Sequence, residues 1–94
     1  MGCIYKIYNA LNNKVYIGKT TRTAEERFSD HIALLEQGVH HSKKMQRDYN
    51  INKKAFRVKK IYSVLRDEDL SGYEKHFIRI NKSVELGYNI YYGG

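Results

Sequence analysis

Apolar and polar residues alternate on both sides of Asn12-Asn13, which predicts a β-hairpin with strands over residues 3–9 and 14–19. Successive side chains of a strand face opposite ways. A loop of two or four residues therefore puts Tyr5 and Tyr16 on one sheet face, as direct or diagonal neighbours. A three-residue loop would separate them. After the hairpin the apolar period lengthens: Ala24, Phe28, Ile32 and Leu35 form a helical stripe. Thr23 and Glu26 supply a capping box at its start, and Gly38 a stop at its end. A second helix over 42–50 takes Ser42 as N-cap and turns Met45 and Tyr49 inward. Residues 50–54 read as a polar connector.

Alternation returns between Phe56 and Val64, where β-branched content predicts a third strand. Its lysines and arginine place it at an edge or give it one wet face. Asp67-Glu68-Asp69 sets acids at the positive end of a third helix, with Leu70, Tyr73, Phe77, Ile80 and Val84 as its buried stripe. A tail from Gly87 ends in Gly93-Gly94. The order β-β-α-α-β-α predicts an α+β fold, a small antiparallel sheet covered by helices, as one domain over 1–94.

Charge narrows the choice of partner. The chain carries 17 Lys and Arg against 10 Asp and Glu, a formal net charge of +7, which points to a polyanion. The cations gather between residues 43 and 60, where Lys43, Lys44, Arg47, Lys53, Lys54, Arg57, Lys59 and Lys60 face only Asp48 and read as a phosphate-tracking surface. Cys3 is the only cysteine, so it has no intrachain partner, and a reducing cytoplasmic setting is expected. No apolar run is long enough for a membrane span.

Several residues could do chemistry on a phosphate. Arg27 and His31 share a helix face beside the Phe28/Ile32 stripe, so Arg27 starts near the hairpin tyrosines. Glu74 lies at the margin of the third helix's stripe; a partly buried carboxylate there seeks a cation, and a hard metal ion needs only one or two such groups. Lys19 follows Gly18 and could hold a phosphate oxygen or stabilise a phenolate. His40 sits in a loop from which it could touch a phosphate. Taken singly, each of these also reads as an ordinary surface or core residue. His40, His41 and His76 lack zinc-site spacing.

Together, Cys3-Ile4-Tyr5, Tyr16-Ile17-Gly18, Arg27, Glu74 and Gly87-Tyr88-Asn89 resemble, in order and spacing, the GIY-YIG nuclease domain, nearest to the catalytic domains of phage and group I intron homing endonucleases. The resemblance covers essentially the whole chain. It implies a three-stranded antiparallel sheet flanked by helices and metal-dependent hydrolysis of double-stranded DNA. By matching positions it makes Tyr5 and Tyr16 the paired tyrosines, Arg27 the catalytic arginine and Glu74 the ligand of one Mg2+ or Mn2+ ion. His31, His40 and Asn89 fall on supporting positions, and Lys19 matches a lysine of the excision-repair branch. Cys3 departs from the motif, which has glycine there; Gly2 stands one position earlier.

The expected reaction is in-line attack by water, with one tyrosine, Tyr16 by preference, positioning or deprotonating it. His31 and Lys19 assist, while Lys43, Lys44 and Arg47 hold DNA. The expected enzyme is cytoplasmic, phage- or bacterium-encoded, and monomeric or transiently paired on DNA, with no appended specificity domain. Two rivals remain open: a basic module that binds nucleic acid without cutting it, and a structure-specific or repair-type nuclease.

Overall fold

The loop of the hairpin has four residues. In the computed structural model, which describes residues 1–93, β1 (Gly2–Asn9) and β2 (Val15–Thr20) pair antiparallel with Tyr5 opposite Gly18 and Ile7 opposite Tyr16. Asn9 closes the loop: its N–H donates to the Lys14 carbonyl (3.0 Å), and its side chain accepts from Leu11 N–H (2.9 Å). Asn13 takes the left-handed conformation that ends the turn, which asparagine tolerates. Tyr5 and Tyr16 are therefore diagonal neighbours on one face. Gly94, the end of the expected tail, lies outside the described residues.

Helix α1 (Ala24–Glu36) begins in the expected capping box of Thr23 and Glu26. It ends at Gly38 (φ 75°), whose N–H reaches Leu35 O while Val39 N–H reaches Leu34 O, the paired closure that glycine permits. Helix α2 (Lys43–Ile51) is capped by Ser42. A 3-10 turn (Lys53–Ala55) leads into β3 (Phe56–Val64), which pairs antiparallel with β1, so the strand order is β2-β1-β3. Asp67–Asp69 forms a 3-10 turn rather than the first turn of helix, and α3 (Leu70–Asn81) follows.

Both sheet faces are covered. Cys3, Tyr5 and Ile7 pack with Ala24 and Leu35 of α1, Met45 and Tyr49 of α2, Phe56 and Tyr88. Ile4 and Ile17 point the other way, into Leu70 and Ile78 of α3 and Val64. This two-sided burial gives β1 its near-continuous apolar run, as expected of a central strand. Cys3 belongs to that core, with Sγ facing the Arg22 carbonyl at 4.0 Å, so cysteine at the motif's glycine position fills packing space.

The third helix departs from expectation. Its buried residues are Leu70, Glu74 and Ile78, whereas Tyr73 and Ile80 are 37% and 60% exposed and Val84 lies beyond the helix end. The buried stripe is rotated by about one residue, which moves Glu74 from the margin to the middle of the packed face. The basic stretch does not form one surface either. Lys60 pairs with Tyr5, while Lys59 and Arg57 pair with Lys6 and Tyr8 on the opposite face. Lys53 pairs with Glu36 (3.0 Å) and Lys44 donates to the Val84 carbonyl (2.9 Å). Among the described residues, no helix is long and apolar enough to cross a membrane.

Candidate active site

Tyr5 and Glu74 lie on opposite sheet faces, yet they meet at the β2 edge because Gly18 has no side chain. The Tyr5 ring lies over Gly18, where an added Cβ would overlap its Cζ and Oη. The phenol thus crosses β2 to the sheet's rim. From the other face, Lys19 reaches Ser71 (2.6 Å) and Glu74 (3.9 Å) on α3. Glu74 is buried, and its charge adds to the larger effect of burial in raising the pKa of both Tyr5 and Tyr16. A hollow of about 180 Å³ at this rim is lined by Tyr16, His41, Glu74, Asn89 and the tail from Ile90 to Tyr91.

Behind Tyr5 runs a buried chain of hydrogen bonds whose polarity can be derived. The Ser42 backbone N–H donates to His40 Nδ1 (3.0 Å), which must therefore be unprotonated. His40 Nε2–H then donates to His31 Nδ1 (2.7 Å), and His31 Nε2–H to the Tyr5 oxygen (2.9 Å). Both rings are neutral: burial, joined by the neighbouring histidine and Arg27, lowers His31 to about 3 and His40 to about 4. Tyr5 is thus held as an acceptor, leaving its own proton free to point elsewhere. Gln46 fixes the support, accepting from His40 N–H (3.1 Å) and donating to the Leu35 carbonyl (2.9 Å).

Arg27 stands at the same phenol. Its Nη1 is 3.0 Å from Asp30, which also holds Arg22. Burial works against the guanidinium, but Tyr5 and Asp30 outweigh it, so the charge is secured. In return Arg27 opposes the upward push of burial on Tyr5. Tyr16 is raised further, by burial and then by Tyr5 and Glu74. Its hydroxyl faces the exposed His41 at 3.4 Å.

Asn89 acts on backbone. Its carboxamide accepts from Ile17 N–H (2.7 Å) and donates to the Ile17 carbonyl (2.9 Å), as a neighbouring strand would. With Tyr88 N–H on the Val15 carbonyl (2.8 Å), it seals the outer edge of β2 between the two motif positions Tyr16 and Gly18. Tyr88 is itself anchored by Asp48 (2.8 Å) and Asn9 (3.2 Å).

Of the expected residues, Tyr16, Glu74 and Asn89 line the hollow, Lys19 pairs with Glu74, and Tyr5, Arg27 and His31 form one bonded group behind it. His40 is fully buried, so it supports His31 and does not make the phosphate contact expected of it; the neighbouring His41 lines the hollow instead. Lys43, Lys44 and Arg47 lie on α2 and none lines the hollow. Sequence reasoning missed Asp30, His41 and Gln46. Asp30 was readable as the i+3 partner of Arg27; Gln46 carried no signal, since its bonds depend on the tertiary fold.

Glu74 is compatible with a hard cation: one carboxylate at an open hollow leaves coordination positions to water and phosphate oxygens, as Mg2+ prefers. Among the described residues there is no group of three or more His, Cys, Asp or Glu able to hold a metal.

Residues 1–89 match the family model of the GIY-YIG catalytic domain. Intron-associated endonuclease 1 of Enterobacteria phage T4 is 38% identical over 88 residues, 93% of this chain; the chain spans 36% of that relative's length. Uncharacterized protein 019R of Invertebrate iridescent virus 6 is 64% identical over 33 residues, covering 35% of this chain and 12% of that protein. The solved catalytic domain of homing endonuclease I-TevI superposes with a TM-score of 0.88 at 33% identity, over 97% of this chain and 99% of that one. A mutant of the catalytic domain of intron endonuclease I-TevI gives 0.85, also at 33% identity, over 100% and 98%.

Proposed function

We propose that this chain, which belongs to the GIY-YIG family of catalytic domains, is a metal-dependent endonuclease of the homing type that hydrolyses DNA phosphodiester bonds. One observation carries the reading: a tyrosine and a carboxylate from opposite sheet faces line a single hollow, with an arginine-held second tyrosine at its back. Glu74 would hold one Mg2+ or Mn2+ ion, which when bound supplies Lewis-acid stabilisation to phosphate and leaving-group oxygens. Lys19 orients the Glu74 carboxylate. Arg27 stabilises charge developing on the phosphoryl oxygens in a preorganised site.

We assign the proton acceptor to Tyr5 in preference to Tyr16. Burial, and after it the Glu74 charge, oppose ionisation of both tyrosines; at Tyr5 the His31 N–H and the charge and hydrogen bond of Arg27 work against that rise, whereas at Tyr16 Arg27 acts through its charge alone. Tyr16 and His41 then position the attacking water. The proton cannot pass inward, because the histidine chain ends on a backbone N–H. It leaves through the hollow.

Double-stranded DNA is the proposed partner, nicked on one strand per event by a monomer, with a transient pair of chains for a double-strand break. The proposed setting is the cytoplasm of a bacterium or phage-infected cell. Incubation with supercoiled plasmid tests the reading: Mg2+-dependent conversion to open circles, abolished by EDTA and by Glu74→Gln, is expected. Tight plasmid binding with no such product would instead establish a binding module.

A further inference from the structure

The hollow has two unlike walls. One is polar, built from Glu74, Tyr16, His41 and Asn89; the other is the apolar outer wall of Ile90 and Tyr91. Tyr91 is 71% exposed, and among the described residues it makes no hydrogen bond, ion pair or ring contact. The chain leading to it is anchored at Asn89, which is bonded twice to Ile17 and whose N–H reaches the Ser83 carbonyl (3.0 Å). The Lys75 side chain lies over Gly93, which also lines the hollow.

We propose that Ile90 and Tyr91 form a nucleoside subsite, which takes the sugar and base adjoining the phosphate under attack. The inference rests on the nuclease reading of the hollow and adds what holds the substrate there. A cavity of about 180 Å³ is smaller than the usual pocket for an organic ligand, so it admits a phosphate with its immediate sugar atoms and leaves the nucleoside against the rim. There Tyr91 offers a flat face to the base or sugar edge. Aromatic faces hold nucleotides with little regard to sequence, which suits a ring placed beside the chemistry.

Binding of a fluorescein-labelled random-sequence duplex, read by anisotropy in a Glu74→Gln background, tests the subsite. Tyr91→Ala should weaken binding about tenfold, and Tyr91→Phe should retain parental affinity. The slope of log K against log salt should be the same for Tyr91→Ala as for its parent, since no phosphate contact is lost. With Glu74 intact, plasmid nicking by Tyr91→Ala should show KM raised by a similar factor and kcat held. Parental affinity in Tyr91→Ala, or a flattened salt slope, overturns the subsite. A parent that never nicks plasmid counts against the catalytic reading alone, because the binding series needs no turnover.

Discussion

The Tyr5 phenol lies directly over Gly18, its cross-strand partner, and the two residues together define where the site can be. A glycine in a strand interior weakens the strand, so its presence marks a close approach. Here the approaching group is the aromatic ring that must pass from one sheet face to the rim.

Gly18→Ala should therefore act on activity more than on fold. Overlap with the ring would force Tyr5 off His31, with an overpacking cost of about 1–3 kcal/mol. Plasmid nicking should fall at least about tenfold, as expected when a reacting group is misplaced by an ångström. A thermal melt alongside the nicking assay separates the two effects; an active Gly18→Ala protein would show that Tyr5 does not need this path.

Glu74→Gln and Arg27→Ala should each lower the nicking rate by about 10²-fold or more. Their stabilities should differ. Arg27 is half-buried with its guanidinium on the exposed Asp30, and its loss should shift the melt little. Glu74 sits in the packed face of α3 beside Lys19, so the nearly isosteric glutamine is the appropriate variant; alanine would add a cavity to the loss of charge.

That placement of Glu74 was also where the sequence was hardest to read. Tyr73, Phe77 and Ile80 make a plausible apolar stripe, and periodicity alone prefers them to a stripe containing a carboxylate. The fold chooses the second because Lys19, on a strand distant in sequence, provides the cation that makes a buried carboxylate tolerable. By contrast the hairpin, the Thr23/Glu26 capping box and the Gly38 stop depend on neighbours within a few residues, and these were legible. The phosphate contact read for His40 was not legible as wrong, because its burial depends on His31, nine residues earlier on α1.

The two buried histidines should make stability fall in mild acid. Their folded-state values, about 3 for His31 and about 4 for His40, lie below the ordinary 6.5, so they bind protons on unfolding. Their contribution is complete above about pH 6.5 and is lost as pH falls toward 4. Between those limits stability should fall by on the order of 1 kcal/mol per pH unit for the pair taken together, since protons on two rings in contact repel each other. Urea unfolding at stepped pH should show the decline, and His40→Gln should show a shallower one. A parent equally stable at pH 7 and pH 4.5 would mean that the chain is not buried as described.

Asn89→Ala should uncouple the tail from the sheet. The variant loses two hydrogen bonds and strands both polar groups of the buried Ile17 backbone, a cost of about 2–4 kcal/mol if water cannot enter. The Ile17 amide, protected in the parent, should then exchange much faster, while amides of β1, paired on both sides, stay protected. Activity should fall as well, since Ile17 separates Tyr16 from Gly18 and its backbone sets the relation between them. Hydrogen exchange resolved at Ile17 distinguishes this local release from general loosening. If Ile17 and the centre of β1 accelerate together, Asn89 supports the whole fold; if Ile17 alone accelerates and nicking drops, it positions the site.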